Sequence, residues 1–207
     1  MNKAVEDTIQ LLALRWVDDC CWTVRQQQQV RSLYMDQQCQ SQLQLMQPNT
    51  LIYPHLRWLA DVSSDKAELE QGLLIGIGGG DWLRFCNAQR PHQQWTAIDN
   101  QAHLLEWLVQ YFELPLQNYD VADALAFLQQ SQARYDMMFI DLYPWPSCWQ
   151  QLLQLALARL HQGGWMAINI TAETPETVLA WLTRHGFAGQ VYQPSGYKNL
   201  LWFSKLD

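Results

Sequence analysis

The stretch LLIGIGGGDW, residues 73–82, decides the fold class of this chain. It starts with a short apolar run, which predicts a strand that is buried on both faces. Gly78, Gly79 and Gly80 follow the run, and Asp81 then opens a helical pattern. A glycine turn between a strand and a helix lets the backbone approach a ligand, and the helix N-terminus offers free N–H groups. The pattern therefore predicts a ligand-binding turn in an α/β domain.

Further apolar runs after this turn repeat the alternation of strand and helix. The strand patterns lie at residues 95–99, 137–141 and 165–170. The helical patterns lie near 81–90, 101–113, 122–131, 147–161 and 174–186. Two apolar segments, 189–193 and 200–205, flank a Pro-Ser-Gly turn and predict an antiparallel hairpin. A mostly parallel sheet with that ending is typical of a Rossmann-like α/β domain of the class I methyltransferase type.

The beginning of the chain has a different periodicity. Val5, Ile9, Leu12 and Trp16 are spaced as on one face of a helix. This spacing predicts a small N-terminal helix within residues 1–19.

The segments that follow complete a small N-terminal region. Polar and apolar residues alternate from Cys21 to Met46, which predicts a small β-hairpin region. A helical pattern runs from His55 to Val62, and the polar stretch from Ser63 to Gln71 is the best candidate for a domain boundary. We therefore predict an N-terminal helix and small β region over residues 1–62, and a ligand-binding α/β domain over residues 63–207.

Composition and charge exclude several classes of protein. The 207 residues carry a net charge of -7 and show no cluster of Lys or Arg, so we expect no nucleic-acid partner. No run reaches the ~18 apolar residues of a membrane span, and the N-terminus lacks the apolar run of a signal peptide. We therefore expect a cytoplasmic protein without a membrane partner. The five cysteines lack paired spacing and the five histidines lack metal spacing. We expect reduced thiols, no metal, and surface or capping roles for the histidines.

Three aspartates lie where strands of such a sheet end. Asp99 follows the glycine turn by about 20 residues, where a carboxylate can accept hydrogen bonds from ribose hydroxyls. Asp123 opens a helix, and it is either an N-cap residue or an acceptor for an adenine amino group. Asp141 ends a central strand, faces the ligand crevice, and is the candidate catalytic residue, as a general base or as a group that holds an amine.

An ordered set of motifs over residues 30–205 resembles the spermidine synthase family, the polyamine aminopropyltransferases. The motifs are QL-x6-IY from Gln44 to Tyr53, IGIGGGDW, AIDN, ADA around Asp123, YDMMFID and PSGY-x4-WFSK. The last one is the most specific, because a Pro-Ser-Gly hairpin that ends in a Ser-Lys strand is not general among methyltransferases. The resemblance implies a divergent member with a class I methyltransferase-type fold. It would use S-adenosylmethionine or decarboxylated S-adenosylmethionine as co-substrate.

The resemblance also implies roles for individual residues. The implied cofactor contacts, besides Gly78, Gly79 and Gly80, are Gln44 at the ribose or thioether end, Asp81 at the aminopropyl or amino-acid amine, Asp99 at the ribose and Asp123 at adenine. Asp141 would lie beside the transferred carbon, where a neutral amine attacks the carbon next to a sulfonium. Tyr53 and Tyr143 are the candidate substrate-binding residues, and core packing is equally open for Tyr143.

The half that would bind the acceptor departs from the family. Pro54 and His55 stand where the family has His-Glu, Pro144 replaces a second acid, and Gln193 replaces a Tyr. The segment between Asp141 and Gly163 is also shorter than usual. Our first interpretation is aminopropyl transfer to a small-molecule amine acceptor. The alternatives are an S-adenosylmethionine-dependent methyltransferase and a non-catalytic nucleoside-binding or interaction module. A homodimer is one oligomeric state open to the chain.

Overall fold

The computed structural model describes residues 8–64, 69–115 and 117–205. The strands are β1 (Gln10–Val17), β2 (Cys20–Gln27), β3 (Val30–Met35), β4 (Gln38–Gln44), β5 (Gln71–Ile75), β6 (Gln94–Asp99), β7 (Tyr119–Val121), β8 (Tyr135–Ile140), β9 (Leu160–Ile170), β10 (Gln190–Tyr192) and β11 (Leu200–Lys205). The helices are α1 (Pro54–Val62), α2 (Asp81–Gln89), α3 (Ala102–Tyr111), α4 (Ala124–Gln130), α5 (Trp149–Ala158) and α6 (Pro175–Arg184). Within these ranges no helix is long and apolar enough to cross a membrane.

A seven-stranded sheet, in the order β10-β11-β9-β8-β5-β6-β7, forms the centre of the molecule. Strands β5 to β9 are parallel to one another, whereas β11 runs antiparallel to β9 and β10. The strand order reverses between β5 and β8, and open α/β sheets bind ligands beyond the carboxyl ends of the strands at such a point. The predicted α/β fold and its C-terminal antiparallel hairpin are confirmed.

Successive side chains of the central strands supply two hydrophobic cores, because they point to opposite faces of the sheet. Leu74 and Phe139 belong to one core, together with α1, α2, α3 and residues of the small sheet such as Leu33. Ile75 and Ile140 belong to the other core, together with α4, α5 and α6. This double burial explains the continuous apolar runs from which the strands were predicted.

The N-terminal part is a four-stranded antiparallel sheet in the order β1-β2-β3-β4. The small β region predicted for residues 21–46 is therefore confirmed, and so is the helix after His55, which is α1. The predicted N-terminal helix is wrong over its described part, because residues 10–17 form strand β1. Val5 lies outside the described residues.

A two-residue turn explains why the first segment is a strand. Asp18 and Asp19 have φ values of 48° and 64°, a left-handed conformation that suits hairpin turns and that Asp tolerates. The turn pairs β1 with β2, and Ile9 and Trp16, which were expected on a buried helical face, are exposed. The Asp-Asp pair was the signal for a hairpin, and the helical spacing of apolar residues obscured it.

The boundary between the two parts stays a prediction. Residues 65–68, which belong to the predicted boundary, lie outside the described residues. The first strand of the large sheet begins at Gln71, which is the last residue of the predicted boundary stretch.

Candidate functional site

Three adjoining cavities open at the carboxyl ends of the parallel strands, and Asp141 lines all three. The main cleft, of about 390 Å³, is also lined by Asp99 and Asp123. The side cavity, of about 60 Å³, lies beside the glycine turn and Asp81. The outer cavity, of about 510 Å³, lies between β4, the start of α1, the end of β9 and the loop between β10 and β11. The candidate catalytic residue therefore stands at the junction of three spaces.

The turn after β5 brings its backbone against the end of β8. Gly76 and Gly78 have φ values of +89° and +54°, which favour glycine. A Cβ at Gly76 would overlap the carbonyl oxygen of Asp141, whereas Gly78 faces open space in the main cleft. Gly79 lines the side cavity and packs against Ser41. Gly76 was not singled out in the sequence, although its position between two strand ends makes it part of the site.

Gly80 has a different place from the two glycines before it. It is the N-cap residue of α2 with φ of +75°, and a Cβ there would press against Leu108 and Leu114. It does not belong to the residues that line the three cavities. The structure therefore gives Gly80 a packing role at the start of α2 instead of the predicted cofactor contact.

Asp99 ends β6, and two backbone N–H groups hold its carboxylate. Its Oδ2 accepts a hydrogen bond from the N–H of Ile77 at 2.9 Å, and its Oδ1 accepts one from the N–H of Gln101 at 2.9 Å. Burial raises the pKa of Asp99, and these hydrogen bonds oppose the rise. The backbone N–H of Gly78 also lowers this pKa. A carboxylate offers about four lone-pair sites, so an oriented acceptor is still available to hydroxyl groups in the main cleft.

Asp123 caps helix α4 and also lines the main cleft. Its Oδ1 accepts a hydrogen bond from the N–H of Ala126 at 2.9 Å. The N-cap interpretation is therefore confirmed. The contact with an adenine amino group stays a prediction.

Asp141 follows the last residue of β8 and is oriented by an amide from β9. Asn169 Nδ2 donates a hydrogen bond to Asp141 Oδ1 at 2.7 Å, and Asn169 Oδ1 accepts one from Asn199 Nδ2 at 3.2 Å. Burial raises the pKa of Asp141 to about 6, the bond from Asn169 opposes the rise, and the charge of Asp81 adds to it. A carboxyl group with this pKa can accept a proton near neutral pH.

Asp81 begins α2, and protein groups occupy both of its carboxylate oxygens. Arg84 forms an ion pair with Oδ1, and the hydroxyl of Ser41 donates to Oδ2. Arg84 is buried and also donates to the carbonyl oxygens of Gly79 and Phe112. Arg84 therefore ties the glycine turn to the start of α2 and offsets much of the negative charge of Asp81.

Two buried side chains of the side cavity have no hydrogen-bond partner among the described residues. They are His55, which is 5% exposed and unpaired at Nδ1, and Trp82, which is 2% exposed and unpaired at Nε1. Burial lowers the pKa of His55 to about 4, so its imidazole is neutral at neutral pH. Buried polar atoms are normally hydrogen-bonded, so these two atoms point to a ligand or a water molecule in the cavity.

The prediction of surface or capping roles for the histidines is wrong for His55 and His103. His55 is the second residue of α1, and its side chain faces inward, where it is buried against the ring of Tyr53. His103 is buried between Trp22 and Trp107, with ring centroids 5.2 and 4.9 Å away. Both residues lie on the inner faces of helices, and the spacing of histidines alone carried no signal of that.

The outer cavity contains both tyrosines that were predicted to bind substrate. Tyr53 precedes α1, and its hydroxyl donates to Cys39 Sγ at 3.3 Å. Its ring lies 6.4 Å from that of Tyr197 in an edge-on arrangement. Tyr143 is 47% exposed and lines both the main cleft and the outer cavity. The structure thus brings both tyrosines to Asp141, while their contacts with a substrate stay predictions.

Gln44, like Gly80, is a predicted cofactor contact that does not line the site. It lies at the end of β4, paired with Val30, and lines none of the three cavities. Gln40, earlier on the same strand, lines all three. The strand passes the cavities before it reaches Gln44, and a motif that begins at Gln44 could not indicate this.

The arrangement can bring two bound molecules together beside a proton acceptor. A ligand in the main cleft and a second one in the outer cavity would meet at Asp141, whose carboxyl group titrates near neutrality. In the part of the chain that the structure describes, no group of three or more His, Cys, Asp or Glu side chains is placed to hold a metal ion.

No family model matches the chain, and no curated protein matches it in sequence. Solved structures do match its fold. A probable spermidine synthase from Corynebacterium glutamicum has a TM-score of 0.78 at 16% identity, over 93% of this chain and 79% of that one. A spermidine synthase in complex with the transition state analogue AdoDATO has a TM-score of 0.71 at 15% identity, over 94% and 73%. Human methyltransferase-like protein 13 in complex with SAH has a TM-score of 0.65 at 21% identity, over 74% and 82%.

These similarities show the fold that spermidine synthases and class I methyltransferases share. Coverage of 93% leaves about 14 of the 207 residues unmatched in the first comparison, so the match includes most of the four-stranded N-terminal sheet. The chain therefore has an α/β fold of the class I methyltransferase type, together with its own small four-stranded sheet.

Proposed function

We propose that the chain is a transferase that moves an aminopropyl group from decarboxylated S-adenosylmethionine to a small amine. The observation that carries this proposal is the charge of the side cavity. Asp81 and Asp141 line it, and none of its lining residues, all of them in the described ranges, is a Lys or Arg. Even with Arg84 paired to Asp81, the net charge at this cavity favours a cationic group over an anionic one.

The side cavity is where the tail of the cofactor would lie, because it adjoins both the glycine turn and the main cleft. The tail of the decarboxylated cofactor is a propylamine, whose ammonium group would be attracted by the charges of Asp81 and Asp141. The tail of S-adenosylmethionine adds a carboxylate, which would find two acids there. A charged group without a partner costs about 1–3 kcal/mol or more, which corresponds to about 5- to 150-fold in the dissociation constant.

The chemistry follows from the position of Asp141 between the main cleft and the outer cavity. The acceptor enters as an ammonium ion, and Asp141 accepts one proton from it. The neutral nitrogen then forms a bond to the carbon next to the sulfonium, the carbon–sulfur bond breaks, and its electron pair stays on sulfur. The products are methylthioadenosine and a secondary ammonium ion. Because the sulfonium is already a good leaving group, positioning and deprotonation are the main tasks of the protein.

The solved structures that match the fold support this proposal. One of the matching spermidine synthases binds the analogue AdoDATO, and two matching methyltransferases bind SAH. The match to both groups favours an S-adenosyl ligand in the main cleft. The match of the small N-terminal sheet to the spermidine synthases favours aminopropyl transfer, since that sheet supplies one wall of the outer cavity.

Methyl transfer from S-adenosylmethionine is the second candidate function, and two observations favour it. The ion pair with Arg84 offsets the charge of Asp81, and the unpaired Nε1–H of Trp82 is a donor that a carboxylate oxygen could use. Under this alternative the amino-acid tail would occupy the side cavity with its carboxylate toward Trp82.

Calorimetric titration with methylthioadenosine, decarboxylated S-adenosylmethionine and S-adenosylmethionine tests the proposal. We expect all three to bind and the decarboxylated form to bind at least about 10-fold more tightly than S-adenosylmethionine. The variant Asp141→Asn should reduce this ratio, because it removes the charge that attracts the ammonium group. Asp120→Asn, an exposed change on β7, is the matched control and should leave the ratio unchanged.

Each other result has a defined meaning. Tighter binding of S-adenosylmethionine would overturn aminopropyl transfer in favour of methyl transfer. Binding of all three nucleosides without release of methylthioadenosine from the decarboxylated form, in the presence of any amine, would favour a non-catalytic nucleoside-binding module. Failure of all three to bind would overturn every S-adenosyl function.

A further inference from the structure

The outer cavity carries one acid at its floor and one lysine at its rim. Asp141 is the one Asp or Glu among its lining residues, and Lys198 is the one Lys or Arg, all within the described ranges. Lys198 is exposed and has no ion-pair partner in the described part of the chain. A space that ends in opposite charges fits a molecule with opposite charges at its two ends.

His55 also lines this cavity and adds no charge to it. His55 is buried, its pKa lies near 4, and its ring is therefore neutral where the protein works. A second ammonium group in this space would find a neutral imidazole and the ammonium of Lys198. It would find no second carboxylate, because Asp141 is already assigned to the first amine.

We propose that the acceptor of this enzyme is an amine that bears an anionic group at its far end, such as an ω-amino acid. The proposal rests on the proposed function, since it assigns the attacking amine to Asp141. The anionic group would lie at Lys198, and the carbon chain between the two ends would contact the aromatic side chains of the cavity.

The walls between the two charges suit such a carbon chain. Tyr53, Tyr143 and Tyr197 line the outer cavity and offer ring surfaces to methylene groups. The loop that carries Lys198 is set by a turn in which the N–H of Tyr197 donates to the carbonyl oxygen of Pro194 at 3.2 Å. Asn199, the next residue, is hydrogen-bonded to Asn169, which holds Asp141, so the rim and the floor are connected by side chains.

The size of the expected preference follows from the exposure of Lys198. An exposed charge pair changes affinity by up to about 5-fold, and replacing attraction by repulsion at the same place widens the difference to about 10-fold. The effect is modest but has a defined sign. The protein as a whole carries a net charge of -7 and attracts cations at long range, so a preference for the amino acid would have to come from the cavity itself.

The test measures binding of matched acceptors to the full chain saturated with methylthioadenosine, and again without nucleoside. Each set holds an ω-amino acid, the diamine and the monoamine of one chain length, for example 4-aminobutanoate, 1,4-diaminobutane and 1-aminobutane. The set is repeated at lengths of three to six carbons. We expect the amino acid to bind most tightly and the diamine most weakly at the best length, with a difference of about 10-fold.

Variants at the rim give the decisive comparison. Lys198→Glu should reverse the order of amino acid and diamine, and Lys198→Gln should make them nearly equal. Lys205→Glu, at the exposed end of β11, is the control and should preserve the original order. The inference is overturned if the diamine binds most tightly to the unchanged protein, if Lys198→Glu leaves the order unchanged, or if no amino acid of any length binds. Titration of methylthioadenosine alone separates these outcomes from failure of the proposed function, which appears as absence of nucleoside binding.

Discussion

The main cleft and the outer cavity share Asp141, but the protein builds them in different ways. In the main cleft, backbone N–H groups at neighbouring strand ends hold Asp99. In the outer cavity, side chains from distant segments hold one another, as in the contact of Asn199 with Asn169 and of Asn169 with Asp141. The shape of the main cleft therefore depends on the backbone of the sheet, whereas the shape of the outer cavity depends on particular side chains.

This difference indicates which half of the site can change its ligand easily. A carboxylate that two backbone groups orient stays in place as long as the turn after β5 keeps its shape. A cavity lined by Tyr53, His55 and Lys198 changes its charge and volume with single substitutions. We infer that the main cleft keeps one class of ligand, whereas the acceptor can differ from that of proteins with the same fold.

The largest effect should come from the residue that the two halves share. Asp141→Asn removes the proton acceptor but keeps an oxygen for the hydrogen bond from Asn169. Turnover, measured as release of methylthioadenosine with the best acceptor, should fall about 10²- to 10⁴-fold, the usual cost of losing a general base. Binding of methylthioadenosine, which has no ammonium tail, should change little. The control Asp120→Asn should be fully active, and normal turnover of Asp141→Asn would reduce Asp141 to a structural residue of the loop after β8.

The second prediction tests whether the main cleft is the nucleoside site. Methylthioadenosine at ~100 times its dissociation constant should stabilise the protein by about 2.7 kcal/mol. Asp99→Ala should abolish this shift in thermal unfolding, because the oriented acceptor for the ribose hydroxyls is lost. Asp120→Ala should retain the shift. An undiminished thermal shift in the Asp99→Ala variant would mean that the nucleoside binds away from the end of β6, and that the main cleft is not the nucleoside site.

The third prediction concerns the cost of keeping Asp141 charged. Its pKa is about 6 in the folded protein and ~3.9 in an unfolded chain, so the folded form binds more protons between these values. The stability that Asp141 contributes is therefore lost as pH rises from about 4 to about 6. Asp141→Asn has no such loss, so it should match the wild type near pH 4 and exceed it by up to about 3 kcal/mol above pH 7.

The measurement is the free energy of unfolding of Asp141→Asn minus that of the wild type at each pH. Other acids titrate equally in both proteins, so their contributions cancel in this difference. A constant difference from pH 4 to pH 8 would contradict a raised pKa at Asp141. The same result would weaken its role as the base, because an ordinary carboxylate is a poorer proton acceptor near neutral pH.

The main cleft was predictable from the sequence because the ends of neighbouring strands and the turns after them form it. Apolar runs mark the strands, and Gly78, Asp99 and Asp141 fall at their ends, where parallel strands bring them together. The glycine turn at the strand reversal therefore indicated both the fold class and the edge of the sheet at which the main cleft lies. Gly80 shows the limit, because a motif does not tell which glycine faces the ligand and which faces Leu108.

Apart from the acid that it shares with the main cleft, the outer cavity was predictable only at Tyr53 and Tyr143, because its other parts lie far apart in the chain. Gln40, His55 and Asn169 meet only after the small sheet and α1 pack onto the large sheet, and none of them lies in a pattern that implies the others. His55 is the clearest case. Only its burial and its unpaired Nδ1 distinguish it from the exposed His92 and His161.

The smallest effect should come from Asp123, which lies at the edge of the main cleft and has two candidate roles. Asp123→Ala removes the hydrogen bond to the N–H of Ala126 and should lower the free energy of unfolding by about 1 kcal/mol. Asp123→Ser keeps a capping oxygen and should cost much less, so this pair separates the cap from any contact with adenine.

If Asp123 accepts a hydrogen bond from the adenine amino group, both variants should weaken methylthioadenosine binding by a similar factor of about 5–10. If it is a cap alone, both should bind the nucleoside normally and differ only in stability. The second result would leave Asp99 as the acid that recognises the nucleoside, and it would narrow the backbone-held half of the site to the ends of β5 and β6.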